Sequence, residues 1–248
     1  MRNLIDYTEN YLKHPFENYQ IFYRKKRIIE LLNSIVHRNI LEIGCGTDPF
    51  FKFYDDFNKL VIIEPSINFY ENAIQEVIKN NLNDRVVLIN DFFENSVNRI
   101  QKPNFDIVII SCLLHEIEDL SIFLETLQCL IQPNTIIHID VPNANSFHRI
   151  LAFEMGIIDT IFELSNNNLR FQQQKVFDIE TLSNIITNHK FKIINSGTYF
   201  IKPFTHKQMS DLIENEIINK TVLDGLYKMI KYMPNLGSEL FIEFKIND

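Results

Sequence analysis

The stretch NILEIGCGTDPF, residues 39–50, decides the fold. Asn39 to Ile43 is a short apolar run stopped by Gly44-Cys45-Gly46, which reads as a buried strand entering a tight turn. Glycines there let the backbone approach a ligand closely, and the N–H groups that follow favour an anionic group such as a carboxylate. The dinucleotide fingerprint G-x-G-x-x-G requires a third glycine where Pro49 stands, and no G-K-[S/T] follows to make a phosphate loop. A G-x-G pair on its own does not identify a ligand.

Working outward, LVIIE (60–64), RVVLIN (85–90), FDIVIIS (105–111) and NTIIHIDV (134–141) are further apolar runs of strand length. Continuous Val, Ile and Leu, as opposed to alternation, marks parallel strands covered on both faces. Helical patterns fill the gaps: residues 17–36, 66–80 with Ser66 at the N-cap, and 119–131. Strands alternating with helices give residues 39–141 as a doubly wound α/β unit with right-handed crossovers. Beyond it, Asp178 caps a helix to about His189, FKIINSGTYFI (191–201) follows, two helices lie at 205–219 and 221–232, and SELFIEFKI (238–246) is a last strand. Residues 142–177 are an insertion after the fifth strand, placed to shape a pocket.

The chain of 248 residues carries 24 Lys and Arg against 32 Asp and Glu, a formal net charge of −8. With 46% apolar and 23% charged residues it is globular in composition, and one domain of this length has ample core. The acidic balance argues against a nucleic-acid partner, which needs a basic field. Three cysteines without a CxxC pair fit a reducing compartment. No apolar leader opens the sequence and no run approaches the roughly 20 residues of a bilayer span, so the expectation is a cytoplasmic protein without a membrane partner.

In open α/β sheets ligands bind outside the carboxyl ends of the strands, beside the switch point. Glu64, with Pro65 after it, lies at the tip of strand two, where a carboxylate accepts both hydrogen bonds from a ribose diol. Asp91 at the tip of strand three can receive the exocyclic amine of adenine, with Phe92 against the ring. Ser111 and Cys112 end strand four, beside the expected reactive atom.

These residues resemble the class I S-adenosylmethionine-dependent methyltransferases, and the match runs through most of the chain. In that family an acid-x-G-x-G motif lies against the methionine part of the cofactor, and Glu42, Gly44, Cys45 and Gly46 stand in those positions. The resemblance implies the strand-two acid at the ribose in Glu64, the strand-three acid at the adenine in Asp91, and a post-strand-four segment in Ser111 to Ile117 that holds His115. Asp48 departs from the pattern, since many members carry a third glycine there. Val141-Pro142-Asn143 is similar to a segment of small-molecule methyltransferases, some acting in ubiquinone-type and others in surface-polysaccharide synthesis.

The implied fold is α/β and doubly wound: a mostly parallel seven-stranded sheet with an antiparallel last strand and helices on both faces. One methyltransferase domain is expected over 1–248, with a helical cap at 1–38, the cofactor-binding half at 39–141, the pocket insertion at 142–177 and completion of the sheet at 178–248. The implied reaction is methyl transfer from S-adenosylmethionine, leaving S-adenosylhomocysteine, to a polar small molecule such as a sugar or phosphorylated metabolite. The alternatives are a catalytically silent cofactor-binding subunit and an NAD-dependent oxidoreductase on the same sheet.

Within that reading His115 is a general base or an orienting donor, or else a capping residue. His148 and Arg149 face the substrate, with Arg149 suited to a phosphate or carboxylate, or else decorate an exposed helix. Cys45 and Cys112 are turn and strand-end residues, since transfer from a sulfonium needs no covalent intermediate. His138 and Asp140 share one face of strand five; with no third carboxylate evident nearby they read as a strand-end pair, and no metal is expected. Tyr7, Tyr11, His14, Tyr19 and Tyr23 form either a lid or a packing helix, the latter by default. Lys25, Lys26 and Arg27 read as a solvated helix face.

Overall fold

The computed structural model describes residues 4, 16–100, 104–165, 168–169 and 171–247. Of the aromatic N-terminus, Tyr7, Tyr11 and His14 lie outside the described residues. In chain order the elements are α1 (Glu17–Leu32), β1 (Asn39–Ile43), β2 (Lys59–Ile63), α2 (Ile67–Lys79), β3 (Val86–Ile89), α3 (Phe93–Ser96), β4 (Ile107–Ser111), α4 (Leu120–Gln128), β5 (Ile136–Pro142), α5 (Phe147–Glu154), α6 (Ile179–Asn188), β6 (Phe191–Tyr199), α7 (His206–Glu214), α8 (Lys220–Lys228) and β7 (Glu239–Ile246).

The strands form one seven-stranded sheet of order β3-β2-β1-β4-β5-β7-β6. β1 to β5 are parallel, and β7 inserts between β5 and β6, antiparallel to both. The chain moves outward from β1 to β3, then returns to the other side of β1 at β4, so the turn after β1 sits at the switch point. The apolar runs form strands here because both faces are covered. Leu41, Ile43, Val108, Ile110, Ile137 and Ile139 pack against α4 and α6, where Phe123, Leu127, Leu182 and Ile186 are fully buried. Ile40, Leu60, Ile62 and Ile107 pack on the other face against Ile28 and Leu32 of α1 and Ala73 and Val77 of α2. Each of these buried Val, Ile, Leu and Phe side chains contributes about 1.5–3 kcal/mol.

Helix ends follow local chemistry. The Asp119 side chain accepts from the Ser121 and Ile122 N–H groups, and Asp178 forms a reciprocal box with Thr181. Ser66 occupies the N-cap position of α2, but its side chain makes no cap hydrogen bond.

The basic segment of α1 differs from its sequence reading. Lys25 is 5% exposed and donates to Glu42 at 2.9 Å; Arg27 pairs with Glu243 and lies over the Phe241 ring; the Lys26 ammonium sits 4.2 Å from the Tyr227 ring centroid. The reason is the sheet face beneath. Glu42 on β1, His138 and Asp140 on β5, and Glu239 and Glu243 on β7 are buried polar residues, all on the face away from α4 and α6. Alpha1 covers them, so its cations meet buried anions in place of water. Tyr23 takes the packing role, stacked on Phe200 and Tyr227 with centroids at 4.6 and 5.3 Å. The strand-five pair also has a carboxylate neighbour that the sequence did not mark: His138 lies 3.3 Å from Asp140 and 3.4 Å from Glu243, its cross-strand partner on β7.

Candidate functional site

Gly44 and Gly46 adopt φ of +78° and +58°, a left-handed conformation that disfavours any side chain. A Cβ on Gly44 would stand 3.4 Å from Leu113, whereas one on Gly46 would meet nothing within 4 Å, so the outer face of the turn is open. Behind it, the buried Glu64 carboxylate accepts N–H bonds from Cys45 at 3.0 Å, Gly46 at 3.1 Å and Ser66 at 2.8 Å. The turn's amides, expected to hold a ligand's anionic group, thus hold the acid of the neighbouring strand tip. Burial raises the Glu64 carboxyl, and these three donors oppose the rise. Glu42 lies beneath the turn, accepting from Lys25 and from the Phe50 N–H at 3.0 Å. Burial pushes the Cys45 and Cys112 thiols well up, which suits neither to act as a thiolate.

A narrow cavity of about 70 Å³ adjoins the turn. Gly44, Cys45, Gly46, Glu64, Pro65, Ser111 and Cys112 all line it, as does Leu4. Glu42, Asp91 and Phe92 are outside its lining. Asp91 accepts from the Phe92 N–H at 2.9 Å and pairs with Arg99 at 3.2 Å. Ser111 Oγ donates to Asp140 at 3.1 Å, and Cys112, at φ +53°, donates its N–H to the Asp140 carbonyl at 2.9 Å.

A second cavity of about 300 Å³ lies on the other side of Cys112. Arg24, Cys112 and Glu116 line both. Its apolar wall comes from the insertion, with Ala152, Ile157, Ile158 and Phe171; Arg170 lies outside the described residues. His115, His148 and Arg149 all line it. His115 is buried, its Nε2 is 3.7 Å from Glu116, and its carbonyl accepts from the Gln174 and Lys175 N–H groups, tying the segment after β4 to the insertion. Burial, with the nearby Lys202 and His206, holds His148 well below the usual imidazole range, so the ring is neutral, and its Nδ1 is buried without a hydrogen-bond partner among the described residues.

Arg149 Nε and a terminal nitrogen also donate to the carbonyls of Ile161 at 2.9 Å and Glu163 at 2.6 Å, so the guanidinium is tied to the insertion's own backbone where it lines the cavity. The polar end of the cavity is instead built by residues the sequence did not single out: Glu17, Gln20 and Arg24 of α1, Lys202 and His206 beyond β6, and Glu239 at the start of β7. Arg24 lies 3.2 Å from both Glu17 and Glu239 and 3.6 Å from Asp140. Burial favours a higher Glu17 pKa, but Arg24 and His206 override it and hold it at about 2.

A family profile described as "Methyltransferase domain" matches residues 17–196, more than half of the chain. The chain belongs to the methyltransferase family. Its architecture agrees with solved structures of low sequence identity. The N-methyltransferase NodS from Bradyrhizobium japonicum WM9, in complex with S-adenosylhomocysteine, is 14% identical with TM-score 0.55, covering 95% of this chain and 90% of that one. A SAM-dependent methyltransferase from Archaeoglobus fulgidus is 16% identical with TM-score 0.55, covering 89% and 92%. The [4+2]-cyclase SpnF is 13% identical with TM-score 0.57, covering 90% and 79%. No curated protein sequence matches the chain. Features that suit an S-adenosylmethionine cofactor are present: the turn is open over Gly46, a buried carboxylate stands at the β2 tip, and the adjoining cavity runs to the end of β4.

Proposed function

We propose that this methyltransferase acts on a polar small molecule, such as a sugar derivative or phosphorylated metabolite, held in the 300 Å³ cavity. The observation that carries the reading is the shared wall: Arg24, Cys112 and Glu116 line both the cavity at the glycine turn and the larger one. The larger volume is at the low end of small-molecule pockets, roughly 300–1,000 Å³. Gly44, Cys45, Gly46, Glu64 and Pro65 would hold the cofactor, and Asp91 and Phe92 its adenine end. At about 70 Å³ the first cavity is below that range, so this reading requires its walls to move apart on binding.

When bound, the cofactor supplies a methyl group already activated on a sulfonium. The protein therefore contributes orientation and exclusion of water. Arg24 and Lys202 offer donors, Glu17 and Glu239 offer acceptors, and the neutral His148 offers Nδ1, a set suited to a molecule with several hydroxyl or ionised groups. The formal charge of −8 supports a small acceptor over a nucleic acid. No helix among the described residues is long and apolar enough to cross a membrane.

The test is incubation with methyl-tritiated S-adenosylmethionine and a fractionated metabolite extract. The reading predicts label in the low-molecular-weight fraction together with S-adenosylhomocysteine. Label in precipitated protein or nucleic acid would contradict it, and cofactor binding without turnover on any fraction would favour a silent subunit.

A further inference from the structure

Beta7 runs antiparallel to β5 in a sheet whose other strands, β6 included, carry their last residues to the ligand edge. For β7 alone, the residue at that edge is the first one. This is Glu239, opposite Pro142 on one side and Tyr199 on the other. It is 3% exposed, and its two oxygens are in different situations. Oε1 accepts from Gln20 at 2.7 Å and from Arg24 at 3.2 Å. Oε2 is buried with no hydrogen-bond partner among the described residues, although the residue lines the larger cavity. Leaving such an atom unsatisfied is unfavourable, the more so for a charged group, and a hydrogen-bonding ligand removes that cost.

The neighbouring cation is equally constrained. Lys202 is 2% exposed, its ammonium donates to Gln20 Oε1 at 3.4 Å, and it stands 3.1 Å from His206 Nδ1. The Gln20 amide therefore bridges Lys202 and Glu239 and occupies Oε1, leaving Oε2 as the oxygen without a partner.

We propose that Glu239, through Oε2, takes the proton from the methyl-accepting hydroxyl or ammonium group, while Gln20, Arg24 and Lys202 hold the carboxylate in place. This rests on the methyl-transfer reading above. In the step, the acceptor's O–H or N–H bond breaks and its proton passes to Oε2. The acceptor's freed lone pair bonds to the methyl carbon as that carbon's bond to sulfur breaks, and the bonding pair stays on sulfur as a neutral thioether. Glu239 returns the proton to water once the product leaves. Burial, only partly offset by Arg24, brings the Glu239 carboxyl up to about 7, near the range in which one group both takes and releases a proton. The charged or titratable groups around it are Glu17 and Arg24 on α1, Asp140 on β5, Cys112 after β4, Tyr199 on β6, and Lys202, with His206 and His148 beyond that lysine.

The test needs no acceptor. Sinefungin carries a primary amine in the place of the cofactor's methyl-bearing sulfonium, and S-adenosylhomocysteine carries nothing there. Calorimetric titration of the full chain with each should show sinefungin bound about tenfold or more tightly than S-adenosylhomocysteine near pH 8, from a charge-assisted bond to Glu239. That preference should shrink towards pH 6, where Glu239 is protonated. Glu239→Gln should bind S-adenosylhomocysteine as the parent does and lose the preference and its pH dependence. An unchanged preference in Glu239→Gln, or none in the parent, overturns the proposal. If the parent binds neither ligand, the methyl-transfer reading fails first. Should Glu239→Gln not fold, Lys202→Met shifts the pH at which the parent's preference appears upward, since it removes a cation that favours the ionised carboxylate; no shift overturns the proposal.

Discussion

Glu64 stabilises the glycine turn from behind, because its carboxylate satisfies two N–H groups of that turn, from Cys45 and Gly46, and a third from Ser66 on its own strand's exit. Glu64→Ala should cost about 1–3 kcal/mol per donor left unsatisfied and abolish measurable S-adenosylhomocysteine binding, as followed by urea unfolding and calorimetry. Retained binding in that variant would show that the turn does not depend on it. This acid was legible in the sequence, since a buried run ending in Glu-Pro places it at a strand tip. Glu239 was not, because its place at the ligand edge depends on β7 running backwards between β5 and β6, and nothing local records that. Its protonation is visible in stability. The folded carboxyl titrates at about 7 against 4.5 when unfolded, so the folded state holds the proton longer. The resulting contribution is full below about pH 4.5 and is lost as pH rises through about 7. The pH dependence of unfolding over that window should be flatter in Glu239→Gln than in the parent, and an identical slope would place the titration elsewhere.

At the scale of elements, the strands and most helices were legible because their signals are local. Asn39–Ile43 is the strand the apolar run marks, and Asp178 caps the start of α6 as its sequence suggests. Alpha1 shows where local signals stop. Its basic segment reads as a solvated face only if the sheet beneath is apolar, and here that face carries Glu42, Asp140, Glu239 and Glu243. Lys25→Ala would leave Glu42 buried without its cation and should cost about 3–5 kcal/mol in denaturant unfolding. A solvated lysine would cost within about 0.5 kcal/mol, so a loss that small would contradict the buried pairing. Alpha5 shows the same limit. Arg149 lines the larger cavity, but nothing in its neighbourhood of the sequence announces that two carbonyls of the insertion take its guanidinium.

For the molecule as a whole, the doubly wound order was readable from alternating apolar runs and helical patterns, and the family resemblance added the antiparallel last strand. The two cavities were less accessible to sequence. The one at the glycine turn gathers residues from three strand ends that local motifs marked. The larger one joins α1, the insertion, the segment after β6 and the start of β7, residues separated by up to the length of the fold, so its polar end had no motif to announce it. The central claim is that the first of these cavities receives S-adenosylmethionine. Calorimetric titration of the purified protein with S-adenosylhomocysteine, with NADH as the control ligand, tests it most directly. The account predicts micromolar, one-to-one binding of the former and none of the latter; binding of NADH alone, or of neither, would contradict it.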